Sequence, residues 1–455
     1  MSTDEHRLTL TPYVPAKARR KTRNSEANKL SEEDRPIHGW YRFVLSFPPH
    51  LVRAFLEKFG ISAGQTVLDP FCGTGTTLVE CKKLGISSVG VEANPFPAFA
   101  SEVKTDWSVE PNALLEHAQR IAELTKRRMA SVGLTDENGF GLTGLGKPTR
   151  NRSVRLLKLP EEAEKLLLTG SISPIPLHKT LTLLRTMRKH SDPRFHRCEL
   201  LALAKALVSS IGNLHFGPEV GVGRLKEDCP VVRPWLANVA TMVNDITKLR
   251  HRNRVRTRIF CTDSRVSFGD LKRASVDAVI TSPPYPNEKD YTRTTRLESV
   301  LLEFIRTKGD LRAFKENLLR SNTRNVYKHD DDDQWVAGHP EILELADQIE
   351  DRRIAMGKTS GFERLYARVT KLYFGGMARH LESLKTYLQP GAKLAYVVGD
   401  QASYLRVMIR TGRTLAAIAR KLGYKIIGIE LFRTRMATAT RAQLREEVLC
   451  MEWPG

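Results

Sequence analysis

Val67-Leu68-Asp69-Pro70-Phe71-Cys72-Gly73-Thr74-Gly75-Thr76-Thr77 is the stretch that decides the fold. Thr66-Val67-Leu68 is a short apolar strand, and Gly73 and Gly75 give the turn after it a backbone that a ligand can approach closely. Thr77 to Leu84 reads as a helix ended by Gly85, and its N-terminus offers free N–H groups to the turn. Ser88-Val89-Gly90-Val91 follows as a second buried strand. A strand, a glycine turn, a helix and a strand in succession imply a parallel sheet. Just upstream, Phe47-Pro48-Pro49 leads into Leu51, Val52, Phe55, Leu56 and Phe59, the spacing of a helix with one apolar face opened by proline.

Beyond residue 110 the alternation stops for about 150 residues in which helical periodicity dominates. Leu114 to Met129, Leu177 to Met187, Leu200 to Ile211 and Leu236 to Leu249 are the clearest helices, and Phe216 to Gly223 reads as a Gly/Pro-rich loop among them. Strands resume at Arg258 to Asp263 and Val276 to Ile280. A second charged helical stretch fills 300–370, with an acidic run, Asp330 to Asp333, that reads most simply as an exposed loop. A helix from Tyr373 to Leu388 ending at Pro390-Gly391, strand Lys393 to Val398, helix Thr414 to Leu422 and the strands Lys425 to Ile429 and Glu447 to Met451 close the chain. The expected organisation is a flexible basic arm (1–36), a sheet domain in three pieces (37–110, 256–300, 371–455) and two insertions (111–255, 301–370). Gly139 to Gly144 has dinucleotide-fingerprint spacing, but no strand precedes it, so it reads as a loop within the first insertion.

Three acids end successive strands: Asp69, Glu92 and Asp263. Asp69 is placed for a ligand's amino-acid portion, Glu92 for two ribose hydroxyls and Asp263 for an adenine amino group. Any one of them alone reads more simply as a helix N-cap. As a set they would repel a phosphate-bearing dinucleotide and suit a cofactor with a sulfonium centre.

Ser282-Pro283-Pro284-Tyr285 directly follows the strand Val276 to Ile280. Pro-Pro-Tyr alone is common in turns and polyproline ligands; at a strand's end, downstream of a cofactor turn, it is specific. The glycine turn and this tetrapeptide together resemble the DNA amino-methyltransferases, most like the cytosine-N4 branch with its Ser-Pro-Pro-Tyr motif. The likeness spans 40–110, 256–300 and 371–455. It implies an α/β fold, a Rossmann-like S-adenosylmethionine-dependent methyltransferase sheet carrying two mainly helical insertions. It implies S-adenosyl-L-methionine as cofactor, with Asp69, Pro70, Phe71, Gly73, Gly75, Thr76, Glu92 and Asp263 around it. It implies Ser282, Pro283, Pro284 and Tyr285 as the catalytic set, acting on a cytosine flipped out of duplex DNA. The Pro283 carbonyl would accept from N4, Ser282 would bond N4 or the N3/O2 edge, and Tyr285 would stack on the base. The glycine turn precedes the tetrapeptide here, the reverse of many N4 enzymes; the basic insertion 111–255 is the first candidate for the target-recognition region and 301–370 the second. C5-cytosine chemistry needs a Pro-Cys nucleophile, which is absent. Adenine-N6 and RNA amino-methyltransferases are the alternatives, and a cognate restriction or defence system is the expected setting. Lys289, Arg293 and Arg296, just after the tetrapeptide, read equally as phosphate contacts near the base or as a solvated helix start.

Composition agrees. Lys and Arg number 72 against 51 acids, a net charge of +21. Between Pro111 and Arg258 stand 26 basic and 13 acidic residues, so much of the excess lies in the first insertion. Such a surface favours a polyanion. Six scattered cysteines without a CxxC pair suggest neither a zinc site nor a disulfide framework. No metal site, no membrane span and no secretory leader are expected, and the cytoplasm is the expected compartment.

Overall fold

A seven-stranded sheet organises the molecule. In chain order its strands are β1 (Thr66–Asp69), β2 (Ser87–Val91), β3 (Thr257–Phe260), β4 (Val276–Thr281), β5 (Leu388–Gly399), β6 (Lys425–Met436) and β7 (Gln443–Trp453). They lie in the order β3-β2-β1-β4-β5-β7-β6. The first five run parallel, and β7 pairs antiparallel with β5 and β6. The chain reverses direction across the sheet between β1 and β4, so the loops after both strands open at one edge, where sheets of this kind bind ligands. The computed structural model describes residues 30–43, 46–136, 155–216, 220–252, 255–266, 268–287, 289–436 and 443–455. Residues 1–29 of the expected basic arm and the Gly139 to Gly144 segment lie outside these.

Helices cover both faces of the sheet. The principal helices of the sheet domain and its insertions are α1 (Pro49–Phe59), α2 (Thr76–Lys83), α3 (Pro95–Thr105), α4 (Pro111–Ala130), α5 (Pro174–Lys189), α6 (His196–Ala206), α7 (Val232–Leu249), α8 (Pro340–Ala355), α9 (Tyr366–Lys385) and α10 (Thr411–Lys421). Helix α1 starts at a proline and ends at Gly60 in the left-handed region, and Leu51, Val52, Phe55, Leu56 and Phe59 are its buried stripe. That stripe packs with Val67, Ala278, Ile280, Ala395 and Val448 on one sheet face. Helices α8, α9 and α10 bury Ile342, Ile349, Tyr373, Phe374, Leu415 and Ile418 against the other face.

The helices of 111–255 share one apolar core with Trp40, Tyr41, Phe96, Leu297 and Leu301. Asp245 on α7 accepts from the Ile37 N–H and the Trp40 indole at 3.0 and 2.9 Å. The segment in front of the glycine turn is thereby anchored to the first insertion.

Three local expectations are corrected. In the stretch expected to be a Gly/Pro-rich loop, Leu214–Phe216 pairs antiparallel with Val220–Val222. Helix α9 stops at Lys385, and Leu388 already pairs with Val276; Pro390-Gly391 falls where the register shifts in β5 and marks a bulge. The acidic run is not simply an exposed loop. Asp332 is 3% exposed and pairs with Arg265 and, at 3.1 Å, with Arg379, while Asp330 pairs with Arg320 at 2.7 Å. Gly375 on α9 permits this docking, because a Cβ there would lie 1.8 Å from the Asp332 carbonyl oxygen. Among the described residues no helix is long and apolar enough to cross a membrane.

Candidate active site

Strand β1 delivers the chain to a turn in which Gly73 and Gly75 have φ of 52° and 79°. A Cβ on Gly75 would meet Ser101 of α3 at 2.9 Å, so the left-handed φ and the close approach both require glycine. The turn is held from behind. Ser101 Oγ donates to the Gly73 carbonyl at 2.7 Å, and the buried Lys104 Nζ donates to the Thr74 carbonyl at 2.6 Å and the Tyr41 carbonyl at 3.3 Å. Burial pushes the Lys104 ammonium down to about 7.

Glu92, at the end of β2, stands beside the turn. Its carboxylate accepts from the Gly73 N–H at 2.9 Å and the Asn94 N–H at 2.8 Å. Burial raises its pKa to about 7 in spite of those two donors. Asp263, after β3, is gripped by the Arg265 guanidinium at 2.7 to 3.0 Å. Arg265 in turn reaches Asp332, so Asp263 is fixed from the second insertion.

Strand β4 delivers Ser282-Pro283-Pro284-Tyr285 to the same edge. Ser282 Oγ donates to the Val397 carbonyl of β5 at 3.1 Å. Ser282 is also hydrogen-bonded to the Tyr285 side chain. The Tyr285 N–H donates to the Tyr291 hydroxyl at 3.2 Å, and the Tyr285 ring lies so close to Gly399 that a Cβ there would come within 2.9 Å.

Both loops line one cavity of about 700 Å³. Pro70, Phe71, Gly73, Thr76, Glu92 and Asp263 form part of its wall, and Ser282, Pro283, Pro284, Tyr285 and Lys289 another. Asp69 and Gly75 stand behind it. Asp69 is fully buried; its Oδ1 accepts from the Thr281 hydroxyl at 2.6 Å and the Phe71 N–H at 3.2 Å. Burial raises its pKa to about 6. Asp69 therefore joins the end of β1 to the residue immediately before Ser282, tying one loop to the other. Arg293 and Arg296 are not in the cavity wall. The Arg296 guanidinium is bonded to the Thr292 carbonyl at 3.2 Å, the Thr292 hydroxyl at 2.5 Å and the Leu166 carbonyl at 3.4 Å, which ties this helix start to the first insertion.

The wall contains residues that strand-end reasoning does not reach. Arg433, Arg435 and Glu446 come from the β6–β7 pair, and Ser321 and Asn325 from the second insertion. The basic-polar alternation Arg433-Thr434-Arg435 at the end of β6 was an available signal; the Ser321 to Asn325 stretch carried none.

The residues suit S-adenosylmethionine. The Gly73 position opens onto free space with no atom within 4 Å of a built Cβ, acidic groups rather than phosphate-binding cations flank it, and the cavity volume is in the range of small-molecule sites. Among the described residues no cluster of three or more His, Cys, Asp or Glu could hold a metal ion.

A family model described as "DNA methylase" matches residues 14–98. The chain is 26% identical to Type II methyltransferase M.BsoBI of Geobacillus stearothermophilus, over 96% of this chain and 88% of that protein. It is 24% identical to Type II methyltransferase M.AvaI of Anabaena variabilis, over 96% and 89%. A 102-residue stretch, 22% of this chain and 23% of the relative, is 31% identical to a tRNA (guanine(10)-N2)-dimethyltransferase of Methanothermobacter thermautotrophicus. With a sheet, a glycine turn and a proline-tyrosine loop of the matching kind, the chain is similar to these Type II methyltransferases over nearly its whole length.

Proposed function

We propose that this chain is a site-specific DNA methyltransferase that forms N4-methylcytosine in duplex DNA, by base flipping and direct transfer. The observation that carries the reading is the single cavity shared by the Gly73 turn and Ser282 to Tyr285, two segments about two hundred residues apart in the chain. Pro70, Phe71, Gly73, Thr76, Glu92 and Asp263 would hold S-adenosylmethionine, with Asp69 and Gly75 setting the turn's shape from behind. When bound, that cofactor supplies an electrophilic methyl group on a sulfonium: a carbon–nitrogen bond forms, the carbon–sulfur bond breaks and one proton leaves the nitrogen.

The chain's own work is to make a poor nucleophile attack. The lone pair of an exocyclic amine is delocalised into its ring, so the site must hold both N–H groups with acceptors that favour a tetrahedral nitrogen. The Pro283 carbonyl is one acceptor. Ser282 Oγ, which meets the Val397 carbonyl and Tyr285, is the other. Tyr285, backed by Gly399, gives the flipped base a fixed stacking surface. Lys289 is the cavity-lining member of the three candidate phosphate contacts. The Type II names of the relatives support a restriction-modification setting. Methylation of structured RNA is the second reading, favoured by the 102-residue match to a tRNA enzyme.

Incubation with labelled cofactor and either unmethylated duplex DNA or total RNA separates these readings, and nucleoside mass spectrometry names the product. N4-methylcytosine in DNA is expected. Label confined to RNA, or N6-methyladenine as the product, defeats the N4 assignment. Ser282→Ala removes one acceptor and should lower the transfer rate about 10- to 100-fold while leaving cofactor affinity intact. Parallel loss of both would show that residue 282 serves the cofactor end.

A further inference from the structure

Asn325 sits on the second insertion, in the short turn Thr323–Asn325, and lines the cavity. It is 2% exposed, and its side-chain oxygen has no hydrogen-bond partner among the described residues. A buried, unpaired carboxamide oxygen costs roughly 1–3 kcal/mol, so its retention in a ligand site points to a partner that arrives with the ligand.

The turn that carries it is rigid. Asn322 Oδ1 accepts from the Arg324 N–H at 3.0 Å, and the Asn325 N–H donates to the Asn322 carbonyl at 3.3 Å. Beside it, the 3%-exposed Arg320 is clamped by Asp330 at 2.7 to 2.8 Å and by the Glu316 carbonyl at 3.0 Å. The turn is also latched to the loop that follows the tetrapeptide. The Asn287 N–H donates to the Ser321 carbonyl at 2.9 Å, and Asn322 Nδ2 donates to the Lys289 carbonyl at 3.2 Å. These latches join the turn that carries Asn325 to the loop after the tetrapeptide, while Arg265 ties the same insertion to Asp263.

A base presented for amino methylation shows an amine donor next to a ring-nitrogen acceptor. Cytosine N4/N3 and adenine N6/N1 share that pair, while thymine and guanine present the reverse. The Ser282 hydroxyl is engaged with the Val397 carbonyl and Tyr285, which leaves the ring nitrogen to another donor. A carboxamide answers both atoms: its oxygen accepts from the amine and its NH₂ donates to the ring nitrogen. We propose that Asn325 reads the amine/ring-nitrogen edge of the flipped base, and that the second insertion thereby supplies the site's base-selecting wall. The inference rests on the function proposed above.

The test is Asn325→Leu in the full-length protein, with three readouts: thermal midpoint, cofactor affinity by calorimetry, and methylated nucleoside formed on unmethylated genomic DNA. Leucine removes the unpaired oxygen, so the thermal midpoint should hold or rise. Cofactor affinity should stay within about 2-fold and transfer should fall about 100-fold, the worth of two lost hydrogen bonds. Asn325→Asp keeps the shape and the acceptor but turns the donor into an acceptor, and should be impaired as severely. If leucine does not fold, Asn325→Ser is read by the same three measurements. Unchanged transfer overturns the proposal, as does a matching loss of cofactor affinity or a drop in thermal midpoint that accounts for the lost activity. A wild-type protein that labels no DNA would instead overturn the functional reading itself.

Discussion

Glu92 is held by two backbone donors, yet burial keeps its carboxyl near pH 7, and its buried neighbour Asp69 near 6, from ordinary values of 4.5 and 3.8. Both groups hold their protons more tightly in the folded chain than in the unfolded one. Their contribution to stability is therefore complete below those ordinary values and is lost as pH rises through about 6 and about 7. The urea midpoint of the ligand-free protein should fall between about pH 4 and 7, and Glu92→Gln should flatten the upper part of that fall. Cofactor affinity should run the other way. If the Glu92 carboxylate accepts from ribose hydroxyls, affinity rises as pH passes about 7 and calorimetry registers proton release on binding. A pH-independent affinity would remove Glu92 from that role. The acids were legible in the sequence because each follows an apolar strand. Thr281 was not, since its meaning lies in a bond to Asp69, 212 positions away, and a threonine closing an apolar strand carries no mark of that.

At the scale of elements, every strand of the main sheet was readable from apolar runs between Gly, Pro and Asp. What could not be read was how the insertions dock. Asp330 to Asp333 has the composition of a solvated loop, and only the fold reveals that Asp332 fills the space left by Gly375 and bridges Arg265 to Arg379. Pro390-Gly391 carried the signal of a helix stop because a bulge and a stop use the same residues. Asp332→Ala takes a shared partner from the buried Arg265, which keeps Asp263, and from the half-buried Arg379, and the expected loss is roughly 1–3 kcal/mol by urea unfolding. Because Arg265 also grips Asp263, cofactor affinity should weaken in the same variant under conditions where it remains folded. Retention of stability within 1 kcal/mol or so would mean that the pair is open to water.

At the scale of the whole molecule, the net charge was plain in the sequence, but the surface that uses it was not, because helix packing decides which basic side chains face outward together. Arg120, Arg127, Arg185 and Lys248 are exposed on α4, α5 and α7, whose apolar sides form the core of the first insertion. A basic outer surface over an apolar interior suits contact with phosphates, as it also suits plain solvation, and salt separates the two. Each phosphate neutralised releases counterions and adds about 0.9 to the slope of log affinity against log salt. Changing these four residues to Glu should weaken binding to a long DNA duplex and lower that slope by up to about 3–4, with cofactor affinity unchanged. Fluorescence anisotropy at 50 to 200 mM salt, on the order of the range where phosphate contacts dominate, gives the slope directly. If it does not move, the first insertion is a solvated surface. The DNA backbone would then have to be held elsewhere, with Arg433 and Arg435 in the cavity wall as the next residues to change.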